Sequence, residues 1–209
     1  MTRTVSAQDV YNYVRDKIIA RDLFPGSRII EEELADALNT SRTTVRAGIT
    51  RLNYDGFVEV RPNRGSFVAQ PTLADMTHVY DLRIVLETMA VRLAIPRITE
   101  AGLQRMERNL ERQIELEKNY SMAEYVQLNQ SFHWEVVRAA GNEYLEKFLR
   151  ELFNKSAISL IFYDASRSGR QSIETHRQLL EALKKRDEAA AVAAIRADID
   201  CAVDCMTIN

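Results

Sequence analysis

Cysteine, glycine, proline and tryptophan are all scarce in this chain. Of 209 residues, two are cysteine, seven glycine, four proline and one tryptophan. The two cysteines, Cys201 and Cys205, stand one helical turn apart near the end, a poor placement for an internal disulfide. A disulfide-stapled secreted scaffold is therefore excluded, and the expectation is a reduced, cytoplasmic protein in which both cysteines are small core residues. Few breakers and many Ala, Leu, Glu and Arg favour helix. No apolar run approaches the roughly 18–20 residues that cross a bilayer, so no membrane partner is expected. The opening stretch MTRTVSAQDV lacks the apolar centre of a signal peptide. Also missing are an H-E-x-x-H pair, a nucleophile elbow and a glycine loop that could cradle phosphate, so the chain does not read as an enzyme.

Charge of one sign is lacking overall, the formal balance being -2, but its distribution is uneven. Residues 41–70 hold five arginines (Arg42, Arg46, Arg51, Arg61 and Arg64) against Asp55 and Glu59, whereas residues 71–209 hold 18 basic against 21 acidic side chains. Positive charge focused on one short stretch of a mildly acidic protein is the pattern of a surface that meets phosphate.

Periodicity divides the chain. Residues 7–22 read as a helix capped by Ser6, and Leu23-Phe24-Pro25-Gly26 breaks it. Glu31–Leu38 reads as a short helix with acids in its first turn. Asn39-Thr40-Ser41 is a turn and cap, and a second helix runs from Arg42 to Asp55 with Val45, Ile49 and Leu52 inward. Tyr54 and Phe57 read as core rather than as base-stacking residues. The convincing β signal is a hairpin, 57–61 and 66–69 around Pro62-Asn63-Arg64-Gly65. Beyond Gln70-Pro71-Thr72 everything reads as helix, at about 73–94, 99–118, 122–140, 142–163, 170–185 and 187–206. The expected fold is mainly α: a winged helix-turn-helix over 1–70, a linker at 71–72 and an all-α six-helix bundle over 73–209.

Two short helices, a tight turn and a hairpin are the parts of a DNA reader. The second helix is narrow enough for the major groove, and its first turns carry Ser41, Arg42, Thr43, Thr44 and Arg46. The hydroxyls suit phosphate or base edges, and a guanidinium takes guanine O6 and N7 together. At the hairpin tip, Arg64 and Gly65 suit close approach to the backbone or the minor groove.

This stretch resembles the GntR family of transcriptional regulators. The resemblance runs through Pro25-Gly26-Ser27-Arg28-Ile29, Glu32, Leu34-Ala35, Ser41-Arg42-Thr43-Thr44-Val45-Arg46, Leu52, Gly56-Phe57-Val58 and Arg64-Gly65-Ser66-Phe67-Val68. Two departures stand out: Thr44 where many members have proline, and Gly48 where glutamate is common. Residues 73–206 are similar to the helical FCD sensor domain of the FadR/VanR branch, through Asp81-Leu82-Arg83, Leu86-Glu87, Asn129, Phe132-His133, Ala139-Ala140-Gly141-Asn142, His176, Leu179-Leu180-Glu181-Ala182-Leu183 and Arg196-Ala197-Asp198-Ile199.

Spacing alone places Asn129 and His133 on one helix face, with His176 and Asp198 on helices that can pack beside it. Two imidazoles with oxygen donors suit a divalent metal, zinc first, with nickel or manganese as alternatives. A metal-free polar pocket is the other reading. The resemblance implies that Asn129, His133, His176 and Asp198 are the ligand positions, with Asp198 replacing the usual last histidine. It further implies a small carboxylate effector held at that metal, and Arg83 turned toward it. Arg83 also stands one turn from Glu87, so a plain ion pair is equally open. Asn154, Ser156 and Tyr163 are further polar candidates for the cavity wall, although Tyr163, with Phe162, reads better as packing. The resulting expectation is a homodimeric repressor on a palindromic double-stranded operator, controlled by a small organic acid. The alternatives are an effector-independent architectural DNA-binding dimer and, more remotely, a metal-dependent enzyme.

Overall fold

A computed structural model describes residues 4–163 and 168–204, with nothing stated of the side chains at 163 and 168–170. Cys205 therefore lies outside the described residues, as does the side chain of Tyr163. The chain separates into two compact units, residues 1–71 and 72–209.

The first unit contains α1 (Ala7–Ile19), β1 (Arg28–Ile29), α2 (Glu31–Ala37), α3 (Arg42–Tyr54), β2 (Val58–Arg61) and β3 (Gly65–Val68). Ser6 caps α1 in a reciprocal box with Asp9, and Ser41 caps α3 by accepting from Thr44 N at 3.1 Å. Val10, Val14 and Ile18 recur on one face of α1 and meet Val45, Ile49 and Leu52 of α3 in the core. Gly48 explains itself here. A Cβ on it would come within 2.7 Å of Val10 Cγ1 and 3.0 Å of the Ala7 carbonyl oxygen, so glycine lets α1 and α3 cross closely. Phe57 is buried as expected, but Tyr54 is 73% exposed. The correction follows from helical geometry, because Tyr54 is two residues past buried Leu52 and therefore some 200° round the helix.

The hairpin is antiparallel, with Arg61 opposite Gly65 and Val58 opposite Val68. Asn63 (φ 58°) and Gly65 (φ 101°) supply the left-handed backbone of its turn. The sheet has a third strand that periodicity did not reveal. β1 pairs with β3 in the order β1-β3-β2, Arg28 facing Phe67. Two residues are too few to show alternation.

The second unit contains six helices among the described residues: α4 (Leu73–Ala94), α5 (Glu100–Leu116), α6 (Met122–Ala140), α7 (Glu143–Tyr163), α8 (Ser168–Lys184) and α9 (Glu188–Asp204). Side-chain caps start α4, α5 and α6 at Thr72, Thr99 and Ser121, and the Asn142 side chain accepts from Tyr144 N and Leu145 N to start α7. Gly141, in the left-handed region, ends α6. Helix α4 packs against α6, α7 and α9; α8 packs against α9 and α5; and α5 against α6. This closes the helices around one interior, filled by residues such as Phe132, Met106, Leu149, Leu179, Leu183 and Ile195. The guanidinium of Arg186 bonds the carbonyls of Ile95 and Ile98, tying the α8–α9 turn to the end of α4.

Candidate functional sites

In the first unit the arginine-bearing helix start is exposed. Ser41, Arg42, Thr43 and Arg46 all face solvent, with Thr44 half-buried. The Ser41 and Thr44 hydroxyls lie 2.9 Å apart and satisfy one another. Arg46 Nε donates to Glu31 Oε2 at 2.7 Å, and Arg42 Nη2 stands 3.9 Å from the same oxygen. At the hairpin, Arg64 and Gly65 are exposed, and the Arg28 guanidinium lies against Gly65, within 3.6–3.7 Å of where a Cβ would be. Arg61 covers the Phe67 ring at 4.6 Å. Sequence reasoning missed Arg28 as a functional candidate. Its signals were its place in the Pro25–Ile29 stretch that carries the resemblance and its position before the acidic helix; strand pairing carries it across to the hairpin turn.

In the second unit the residues gather deep inside. Arg83 and Glu87 project from α4, Gln113 from α5, Asn129 and His133 from α6, Ser172, Thr175 and His176 from α8, and Asp198 from α9, and all are buried. Three donor groups converge. His133 Nε2 and His176 Nε2 are 3.4 Å apart, His133 Nε2 is 3.2 Å from Asp198 Oδ2, and His176 Nε2 is 3.5 Å from Asp198 Oδ1. Each ring is held by its other nitrogen: His176 Nδ1 is 2.9 Å from Gln113 Oε1, and His133 Nδ1 is 2.8 Å from Glu87 Oε2. The second contact is an ion-pair approach rather than an aligned hydrogen bond. Thr175 and Ser172 donate to Asp198 Oδ1 at 2.6 and 3.0 Å. Phe132 stacks on His176 at 4.1 Å, fixing the ring plane.

Asn129 is joined to the cluster at one remove. Its Nδ2 lies 3.3 Å from Ser172 Oγ, so the structure brings three of the four expected donors together and links the fourth through a hydroxyl. Arg83 makes the ion pair with Glu87 that its spacing allowed. Its Nε donates to Glu87 Oε1 at 2.7 Å, and its side chain also lines a narrow cavity with Tyr80, Asn129, Ser172, Asp198 and Cys201. Ser156 is buried and donates to the Leu152 carbonyl, and neither it nor Asn154 lines that cavity. Glu87 and Gln113 were not singled out in the sequence as anchors, because each is identified only by the ring nitrogen it meets.

The electrostatics follow from burial opposed by neighbours. Burial disfavours a charged His133, but Glu87 and Asp198 outweigh it and raise its pKa to about 9. Burial prevails at His176, lowering its pKa to about 4 despite Asp198. Burial also works against the Asp198 carboxylate, yet the His176 and His133 rings and the Thr175 hydroxyl hold it well below the usual range.

These donors fit a metal ion. With ligand distances of about 2.0–2.2 Å, the edges of a tetrahedral set are about 3.3–3.6 Å, close to the separations found. Imidazoles anchored through their remote nitrogens are the usual outer support of such a centre.

Comparison with known proteins agrees with both halves. Residues 6–68 match the model for bacterial regulatory proteins of the gntR family, and residues 78–200 match the FCD domain. The Nta operon transcriptional regulator of Aminobacter aminovorans is 34% identical over 169 residues, covering 80% of this chain and 79% of the relative. The chain belongs to the GntR family, in its FCD-domain group. The transcriptional repressor RspR of Escherichia coli is 26% identical over 191 residues, covering 90% of this chain and 83% of RspR. Among solved structures, E. coli McbR/YncC superposes with a TM-score of 0.79 at 25% identity, covering 94% of this chain and 95% of McbR. This GntR-family chain is thus a transcriptional regulator with a winged helix-turn-helix and a helical FCD domain, and not an enzyme. No helix among the described residues is long and apolar enough to cross a membrane.

Proposed function

We propose that this regulator is a cytoplasmic homodimeric repressor whose hold on a palindromic operator is controlled by a small carboxylate bound, with a divalent metal, inside residues 73–209. The observation that carries the reading is the buried donor triangle of His133, His176 and Asp198, each ring anchored behind. His133, His176 and Asp198 would hold the ion, with Asn129 reaching in on release from Ser172. Zinc suits two imidazoles and a carboxylate best; nickel and manganese are also compatible. The ion would supply a Lewis-acidic anchor for an anionic oxygen. Charge supports an anionic effector. Arg83 and a divalent ion bring three positive charges against two from Glu87 and Asp198, and one carboxylate neutralises the excess.

The surfaces fit the same reading. Ser41, Arg42, Thr43, Thr44 and Arg46 would enter the major groove, while Arg64 and Gly65, with Arg28 beside them, would follow the backbone. Leu82, Val85 and Met89 form an exposed apolar stripe on α4, and Tyr144 and Phe148 another on α7. Two copies joined there would present two reading helices to two half-sites. Repression is the sense carried by the name of RspR. The effector's action on DNA affinity is bounded by its preference between the two states of the dimer.

The test is elemental analysis of purified protein, followed by thermal melting with a panel of mono-, di- and tricarboxylates, with and without a chelator. About one metal per chain is expected, with one carboxylate raising the melting temperature only in the metal-loaded protein. A hundredfold excess over Kd corresponds to about 2.7 kcal/mol. The same acid should weaken binding to a duplex selected by the protein. Metal-free protein that responds to no acid would refute the sensor reading.

A further inference from the structure

Glu31 opens α2, and it is the more shielded partner of the arginines it meets. Its side chain is 24% exposed, against 58% for Arg42 and 64% for Arg46. Arg46 gives Glu31 its Nε, and its two Nη groups have no further partner among the described residues. The guanidinium is therefore held at its root and free at its tip. Glu32 and Glu33 follow in the same turn, so the start of α2 is a concentrated negative charge.

An arginine on a flexible stem near DNA gains most readily from phosphate, where the charge is densest, and that contact carries no sequence information. A carboxylate beside the arginine changes the balance. It repels a nearby phosphate, it leaves neutral base edges unaffected, and it reduces the rotamers open to the side chain.

We propose that Glu31 is a specificity-determining positioning residue, which holds Arg46 by Nε so that its free Nη edge meets guanine O6 and N7 instead of the nearest phosphate. Glu31 thereby exchanges overall affinity for discrimination. The assignment rests on the reading of α3 as the groove-entering helix.

The experiment uses the full chain as wild type, Glu31→Ala, Glu31→Gln and Arg46→Ala. Each selects from a duplex library with a randomised core. Each is then titrated by fluorescence anisotropy against the duplex selected by wild type and against a scrambled duplex, over a range of salt. For Glu31→Ala the selected motif should lose a guanine preference in each half-site, and the selected-to-scrambled affinity ratio should fall on the order of tenfold. Its scrambled-duplex binding should tighten and become steeper in salt by about one phosphate per reading helix. Glu31→Gln keeps an acceptor for Nε but not the charge. It should retain the guanine preference while also binding the scrambled duplex more tightly.

An unchanged motif and ratio in Glu31→Ala overturns the proposal. If Arg46→Ala loses the guanine and Glu31→Ala keeps it, only the role of Glu31 fails. If Arg46→Ala also leaves the motif intact, the assignment of the reading helix fails with it. Circular dichroism melting shows whether each variant is folded. Should Glu31→Ala not fold, Glu31→Gln decides, and unaltered scrambled-duplex affinity overturns the proposal.

Discussion

The two units use the same residue types in opposite ways. In the first, the candidate DNA-contacting arginines lie on the surface, on one helix start and one hairpin, and the core beneath them is apolar. In the second, the arginine, carboxylates and histidines of the candidate site are buried in the middle of the core. Burial is what separates them. An exposed charge is solvated in any conformation, so its removal alters what the unit binds more than whether it folds. A buried charge exists only by virtue of its partners, so its removal should alter both.

The largest expected effect tests that second statement. Asp198 accepts from Thr175 and Ser172 and faces both histidine rings. Asp198→Ala leaves the Ser172 hydroxyl without its acceptor and a charged His133 ring with Glu87 as its one remaining carboxylate, while Thr175 keeps the carbonyls of Gln171 and Ser172. A loss of about 3 kcal/mol is expected, at the lower end for breaking a buried ion pair by removing one member. Urea denaturation in the presence of a chelator isolates this cost from that of losing a metal. A loss below about 1 kcal/mol would mean that water replaces the carboxylate easily and that the interior is not the low-dielectric site its burial implies.

A smaller effect is expected from packing alone in the first unit. Gly48→Ala places a methyl 2.7 Å from Val10 Cγ1 and 2.8 Å from Val10 Cβ. Helix propensity favours alanine by about 1 kcal/mol, while overpacking a tight core costs about 1–3 kcal/mol. Val10 is fully buried and β-branched, so it has little freedom to yield. A net destabilisation of about 1 kcal/mol is expected by urea denaturation. A stabilised variant would show that α1 slides along α3, and that the crossing is not fixed by this glycine.

The same contrast explains what could be read from residue order. The first unit was legible nearly to its details, because its signals are local. Caps at Ser6 and Ser41, the break at Pro25-Gly26 and the hairpin turn each occupy a few consecutive residues. What escaped there was non-local or angular: the pairing of β1 with β3, the position of Arg28 over Gly65, and the outward direction of Tyr54. In the second unit the six helices were legible from breakers and caps. Asn129 and His133 were tied by their spacing, and the coming together of His176 and Asp198 was expected from resemblance. Gln113 and Glu87 were not legible as anchors, since a glutamine on α5 and a glutamate on α4 become ring supports only when two other helices, α6 and α8, bring the histidines to them. Nor did spacing reveal that Ser172 stands between Asn129 and Asp198.

The smallest predicted effect sharpens the comparison within one pair of helices. Among the described residues, two polar links join helices α5 and α8. One is buried, His176 Nδ1 with Gln113 Oε1 at 2.9 Å; the other is exposed, Lys184 Nζ with Glu107 at 2.9 Å, and Lys184 also reaches Glu181 at 3.2 Å. The distances are equal, so length does not distinguish the two links. Solvent does: both charged partners of the outer link are a third or more exposed, and water competes for each. Ordering two long side chains also costs rotamer entropy that a modest attraction barely offsets. Lys184→Ala should therefore cost about 0.5 kcal/mol or less, and the difference should shrink further as ionic strength rises. Metal content should not change. A loss above about 1 kcal/mol in the same denaturation series would mean that exposed and buried links between these helices are energetically alike, and that burial does not set the ordering.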